Sequence, residues 1–324
     1  MNLNRRLFAK ILASASLLFA STLVPFAAQA ADYPERDVTY VIPYNPGGES
    51  DVTARMQQKF FKELTGHNLI ILNKPGAGGA TAWAQLNGFK ADGYTIMGTI
   101  VPHIILQPAM KEVGYQTEDI TNVFFFHYTP DAIIVNAESE FKTLQDLVDF
   151  ASANPGAVTM GGSGTNTANH LAAEIVSGLT STVTTYIPFK GSAPAITALL
   201  GNQIKSVMSY TTQGVKAGDQ VRSLAVATEK RHPALPDVPT FRELGINHVG
   251  GAYRGVAVPK GTPEDIQLEL AKILAEINAN PEFQKLMLEA GYSVIDVSHE
   301  QIPTFMAQKA KAYAGAIKQL KAKQ

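Results

Sequence analysis

The chain has 324 residues, 45% of them hydrophobic, and a formal net charge of −1. That length suffices for one or two domains around a large core. The balance of charge argues against a nucleic-acid partner, which would bring a basic surplus. The absence of cysteine excludes disulfides, thiolate chemistry and lipid attachment at a cysteine.

The first thirty residues read as an export signal. Arg5, Arg6 and Lys10 form a positive start, residues 11–26 an apolar run, and Ala28-Gln29-Ala30 a small-x-small cleavage site, so the mature chain is expected to begin at Ala31. An uncleaved membrane anchor is the competing reading, opposed by the shortness of the run and its breaks at Ser14, Ser16 and Pro25. Arg5-Arg6-Leu7-Phe8 also fits a twin-arginine signal, which leaves the export route open. Without the three early bases, 24 basic residues face 28 acidic ones, a net of −4.

Residues 38–44 are β-rich and apolar on both alternating faces, as in a central parallel strand. Pro46-Gly47-Gly48 is a tight turn. Ser50 or Asp51 is placed to cap a helix with Val52, Met56, Phe60 and Leu64 on its apolar stripe and Gly66 at its end. A helix opening after a Gly-Gly turn offers free N–H groups and a positive dipole end, which suits an anion. The device repeats at once: strand 69–72, glycine turn 73–79, helix 80–89, and then strand 94–99 after Asp92-Gly93. In a parallel sheet both turns fall on the carboxyl edge, so two helix N-termini would face one crevice. Ordinary turns with no ligand are the alternative, because glycine motifs alone are weak signals. His103 follows the third strand and either faces this crevice or plays a structural part.

Residues 122–126 and 132–135 read as strands broken by Tyr128-Thr129-Pro130, a natural crossing between lobes. Helix 143–153, with Leu144, Leu147, Val148 and Ala151 on one side, precedes strand 158–160, a glycine turn at 161–166 and helix 168–177. Strand 184–187 leads through turn 188–194 into helix 195–200, and strands 207–210 and 223–227 follow. Pro233, Pro236 and Pro239 mark an ordered surface loop, and residues 240–244 a short helix. Strand 252–258 returns to the first lobe, and helices 263–279 and 301–322 complete the chain. Strand–helix alternation in both halves predicts an α/β fold of two lobes, residues 31–131 with 252–324 and residues 132–251, rather than one large sheet.

Several chemistries are missing. There is no GxxxxGKS phosphate loop. A GxSxG nucleophile elbow fails at Thr165. The seven histidines form no HExxH or close pair, so a metal site lacks support. No carboxylate pair stands out in sequence, and pairs formed by the fold stay open.

Tyr44-Asn45-Pro46-Gly47-Gly48-Glu49-Ser50-Asp51, Asn73-Lys74-Pro75-Gly76-Ala77-Gly78-Gly79 and Asp92-Gly93-Tyr94 resemble successive signatures of the tripartite tricarboxylate transporter substrate-binding proteins, the Bug (Bordetella uptake) family. Ser163-Gly164-Thr165 with His170-Leu171, Phe189 to Ala195, Leu235 to Thr240, and Pro259 to Pro263 continue the likeness in order across nearly all of the mature chain. The resemblance implies a periplasmic solute receptor, not an enzyme, with two Rossmann-like lobes and a ligand cleft between them, the type II periplasmic-binding-protein architecture. It implies a small mono-, di- or tricarboxylate ligand, no cofactor, membrane permease subunits as partners, and a monomer. In that family a carboxylate sits, partly through waters, on the two glycine turns of the first lobe, which agrees with neutral backbone donors holding an anion.

Carried over residue by residue, the resemblance points to Tyr44, Gly47, Gly48, Ser50, Gly78 and Gly79 in the first lobe. In the second it points to Ser163, Gly164, Thr165, Lys190, Gly191 and Ser192. Tyr210 and Thr211 follow a strand and are placed to reach the distal end of a ligand. Arg254 lies where the chain recrosses, and either pairs with a second carboxylate or forms a surface salt bridge. Asp51 reads as a helix cap. Two positions depart from the family pattern: Glu49 replaces a small turn residue, facing either solvent or a ligand hydroxyl, amine or proton, and Lys205 stands where aspartate is frequent. The identity of the acid stays open. An exported α/β enzyme acting on a carboxylate and a receptor reporting to a signalling protein remain as alternatives.

Overall fold

The protein is described here by a computed structural model covering residues 33–322, so the expected signal segment lies outside the described residues. Strand β1 (Val38–Ile42) runs into the first glycine turn and α1 (Glu49–Thr65). The helix opens slightly earlier than the sequence suggests. Gly48 holds the N-cap position at φ −79°, ψ 173° with no side-chain cap, and Asp51 reaches back to accept from the Gly47 N–H at 2.8 Å. Gly66 ends the helix in the left-handed conformation, φ 77°. The buried face is Thr53, Ala54, Gln57, Phe60 and Phe61, whereas Leu64 of the expected stripe is 47% exposed.

After β2 (Leu69–Asn73), a 3-10 turn at Ala77–Gly79 opens α2 (Ala80–Trp83), far shorter than the helix expected there; Leu86–Gly88 forms another 3-10 turn. β3 (Thr95–Val101) passes into α3 (His103–Met110), an element absent from the sequence reading. β4 (Thr121–Asn136) is continuous, so the expected break at Tyr128-Thr129-Pro130 does not occur.

The next segment holds α4 (Leu144–Ala153), β5 (Val158–Gly162), α5 (Ala168–Leu179), β6 (Thr184–Pro188), α6 (Ser192–Leu200), β7 (Ser206–Tyr210), α7 (Thr211–Ala217) and β8 (Val221–Val226). Helix α4 is fixed by a capping box: the Thr143 hydroxyl accepts from the Asp146 N–H, and the Asp146 carboxylate accepts from the Thr143 N–H. Residues 240–244, expected to be helical, form a turn tied to β8 through Thr240 and the Phe241 N–H. The chain ends with β9 (Gly251–Val258), α8 (Glu264–Ala279), α9 (Pro281–Glu289), β10 (Ser293–Val297) and α10 (Ile302–Ala322).

The strand order is β2-β1-β3-β9-β4-β7-β5-β6, with β8 and β10 also pairing on β4. β1, β2 and β3 are parallel to one another, as are β5, β6 and β7, while β9 and β4 run antiparallel between the two groups. β4 changes partners along its length: Thr121 to Pro130 pair with β9, and from Asp131 onward the strand pairs with β7 and β8. Pro130 is tolerated at the handover, where the following Asp131 N–H turns to the Gly250 carbonyl at 3.0 Å. One core gathers Val38, Tyr40, Phe60, Phe61, Leu270 and Phe283, and another gathers Ile133, Leu144, Leu147, Val158 and Met208. The carboxyl ends of β1, β3, β5 and β7 carry loops that converge on one cavity, the usual location for a site in α/β sheets.

Candidate functional site

The cavity is walled by Tyr44, Gly48, Glu49, Ser50, Ile100 and His103 from one strand group, by Ser163, Ser192 and Tyr210 from the other, and by Arg254. Its volume is about 10 Å³, room for about one water. A groove of about 810 Å³ lies elsewhere, between α4 and the loop around Leu235, and contains none of these residues. We take the small cavity as the site because buried charge and unpaired polar groups converge there.

Backbone turns bring the two sides together. A Cβ on Gly164, at φ +134°, would lie 2.9 Å from the Gly78 Cα, so that approach excludes a side chain. The Gly78 carbonyl accepts from Tyr44 Oη at 2.6 Å and from Gln107 Nε2 at 2.7 Å. Gly79 lies against the Trp83 ring, Gly191 beside Tyr44, and the Gly47 carbonyl accepts from Lys216 Nζ at 3.0 Å. These five glycines shape the loops around the cavity rather than line it.

Arg254 is the central charge. It is 3% exposed, donates from Nε to Ser50 Oγ at 3.2 Å and from Nη1 to Thr129 Oγ1 at 2.9 Å, and stacks over the Tyr210 ring at 4.7 Å. Its anionic neighbour is Glu49, also 3% exposed, with Oε2 at 3.7 Å from Arg254 Nη1. Glu49 Oε1 accepts from the Thr212 hydroxyl and from Gln213 Nε2, both on α7. Among the described residues Glu49 Oε2 has no hydrogen-bond partner, nor has either ring nitrogen of His103.

His103 is fully buried, edge-on to Tyr44 and Trp83. Burial, reinforced by the Arg254 charge, holds its pKa well below the usual histidine value, so the ring is neutral at pH 7. Burial also raises the Tyr44 and Tyr210 pKa values; Arg254 opposes both shifts, and Ser163 opposes that of Tyr210. Both phenols therefore stay protonated. Asp51 is pushed up by burial, but bonds from Arg55, the Gly47 N–H and Asn73 outweigh this and leave it below the usual aspartate value.

The structure thus gathers Tyr44, Gly48, Ser50, His103, Ser163, Ser192, Tyr210 and Arg254 around one cavity. Thr165 and Lys190 are exposed, and Thr211 donates away from it to the Gly291 carbonyl at 3.4 Å. Arg254 is no surface salt bridge, and Glu49 does not face solvent. Lys205 lies outside the cavity wall beside Glu140, at 3.5 Å. Ile100, Thr129, Thr212 and Gln213 were missed by the sequence reading; the polar run after buried β7 was the signal for the last two. Among the described residues no group of three potential ligands gathers to hold a metal, and no helix is long and apolar enough to cross a membrane.

Residues 53–321 match the tripartite tricarboxylate transporter family receptor family, TctC. A protein of Agrobacterium vitis, from the TAR-I ttuE-ttuC' intergenic region, is 30% identical over 306 residues, covering 92% of this chain and 87% of its own. The structure of the periplasmic binding protein BugD is 29% identical, with 88% of this chain and 98% of BugD covered and a TM-score of 0.81. An R. palustris protein solved with adipate is 26% identical, with 88% of this chain and 97% of its own covered and a TM-score of 0.83. The family match spans most of the chain, and the mixed α/β sheet agrees with it: the chain belongs to the TctC family of solute-binding receptors, the Bug proteins.

Proposed function

We propose that this protein is a periplasmic receptor that captures a small carboxylate between its lobes and delivers it to the permease subunits of a tripartite tricarboxylate-type transporter. The observation that carries this reading is the buried guanidinium of Arg254 beside the first turn of α1, at the carboxyl ends of the parallel strands. A guanidinium offers several directed donors to a carboxylate, and the hydroxyls of Ser50, Ser163, Ser192 and Tyr210 surround it. The adipate bound by the R. palustris relative supports an acid as the ligand class.

A cavity of about 10 Å³ does not admit such an acid unless its walls part. The lobes, residues 31–131 with 252–324 and residues 132–251, would open where β4 changes partners at Asp131 and where β9 begins at Gly251. The reading is one of binding without turnover. Among the described residues His103 stands edge-on to aromatic rings, and neither of its ring nitrogens is paired with a hydroxyl as a nucleophile's base would be.

The test is a thermal-shift screen of the purified protein against mono-, di-, tri- and aromatic carboxylates. A ligand at about 100 times its Kd adds roughly 2.7 kcal/mol of stability. A clear upward shift with unchanged ligand recovered afterwards supports the receptor reading. Silence across the panel, with no acid released on denaturation, refutes it. Loss of uptake on deleting the permease genes would place the receptor with a transporter; persisting uptake would sever that link.

A further inference from the structure

Glu49 introduces a carboxylate into a site that must accept one. Its two oxygens have different surroundings. Oε1 is held by Thr212 and Gln213, donors from α7 on the far side of the cavity. Oε2 is buried on the cavity wall with no hydrogen bond among the described residues, its nearest charge being Arg254 Nη1 at 3.7 Å. The cavity therefore presents a cation and an anion side by side, and the anion keeps an acceptor oxygen unused. A buried acceptor left unpaired carries a desolvation cost that a ligand donor would relieve.

We propose that Glu49 sets the ligand class: the acid taken up carries, besides the carboxylate that meets Arg254, a hydrogen-bond donor that meets Glu49 Oε2, a protonated amine in preference to a hydroxyl. This rests on the carboxylate-receptor reading above. Adding a plain dicarboxylate would place a like charge beside Glu49 in a site shielded from water, where repulsion is strong. An ammonium group instead forms a charge-assisted bond there and leaves the site near neutrality. A hydroxyl satisfies the same oxygen without the charge. Selection then comes from rejecting the second carboxylate as much as from attracting the donor.

The experiment is isothermal titration of the parent, Glu49→Gln and Glu49→Ala with two matched series. One is butanoate, 4-hydroxybutanoate, 4-aminobutanoate and butanedioate; the other is the same acids with hydroxyl or amine at C2. Glu49→Gln keeps an oxygen for Thr212 and Gln213 and so preserves the wall's shape, and circular dichroism checks that each variant is folded. In the parent, the best amine-bearing acid should bind at least about tenfold tighter than butanedioate. In Glu49→Gln that order should flatten or reverse, the amine losing and the dicarboxylate gaining. A residue that only latched the lobes would weaken all ligands alike and leave the order intact. An unchanged order in folded Glu49→Gln, or a parent that prefers butanedioate, overturns the Glu49 assignment while the receptor reading stands. No binding of any carboxylate, in these series or in the wider screen, overturns both.

Discussion

Two buried acid–base pairs invite comparison. Glu49 and Arg254 face each other at 3.7 Å in the cavity, and Asp131 and His248 at 3.8 Å where β4 changes partners. Each of the four side chains is 5% exposed or less. Their support differs. Glu49 accepts two hydrogen bonds through one oxygen, and Arg254 donates to Ser50 and Thr129. Among the described residues the Asp131 carboxylate has only a long bond from Asn169 Nδ2 at 3.5 Å, and His248 Nε2 has no hydrogen-bond partner. A guanidinium offers several directed donors, whereas an imidazole offers two ring nitrogens at most. The cavity pair is thus held on both sides by hydrogen bonds, an arrangement suited to holding an ion. The crossing pair is loosely held at the point where β4 passes from β9 to β7 and β8.

The sharpest way to break this comparison is Arg254→Met. It strands Glu49 as a buried charge, which costs on the order of 3–5 kcal/mol, and urea denaturation should show it. Adding Glu49→Gln to Arg254→Met should recover most of that stability without restoring ligand binding. If the single and double variants are equally unstable, the two residues are not a coupled pair. Gly48→Val separates binding from folding. Gly48 has φ −79°, ψ 173°, which a β-branched residue adopts, and its Cβ would meet only ordinary contacts at 3.4 and 3.5 Å. The added methyls would invade the cavity, so affinity should fall about tenfold or more with the unfolding midpoint nearly unchanged. Undiminished binding in the folded variant would place the ligand elsewhere.

Smaller effects separate supported from unsupported carboxylates through pH. The Asp51 pKa lies below the usual aspartate value, so its contribution to stability is present above that value and is lost as pH falls through the depressed one. Asp51→Asn should cost about 1–2 kcal/mol at pH 7 and progressively less in acid. Asp131 is the opposite case. Burial raises its pKa, against the opposing pull of the neighbouring His248, Asn169 and Arg254. A raised carboxyl favours the fold below its unfolded pKa, and that advantage is lost as pH rises through the folded value. Asp131→Asn should therefore gain about 1 kcal/mol or less at pH 7, with the gain vanishing at acid pH. Parallel curves for the two variants would contradict the assigned difference in support.

The elements the sequence reading located best were those with local signals. The β-rich apolar runs of β1 and β2, the one-sided apolar pattern of α4 and Gly66 at the end of α1 all lie within a few residues of the feature they predict. Helices α3 and α7 were invisible for an equally local reason. Pro102 and Pro108 flank or interrupt the first, and Thr211, Thr212 and Gly214 lower the propensity of the second. The continuity of β4 needed β7, β8, β9 and β10 to pair along it, which no window of sequence contains.

The site divides in the same way. Glycine turns, strand ends and their order were in the chain itself, and so was the family likeness that grouped Tyr44, Ser50, Ser163 and Ser192. That Arg254 would bind Ser50 from 204 positions away, and that Glu49 would take Thr212 from 163 positions away, only the folded chain decided. Turn and helix signals depend on backbone torsions and near neighbours, which sequence spacing encodes. Charge pairing in a cavity depends on which strand ends the sheet order brings together, and on the loss of water that follows.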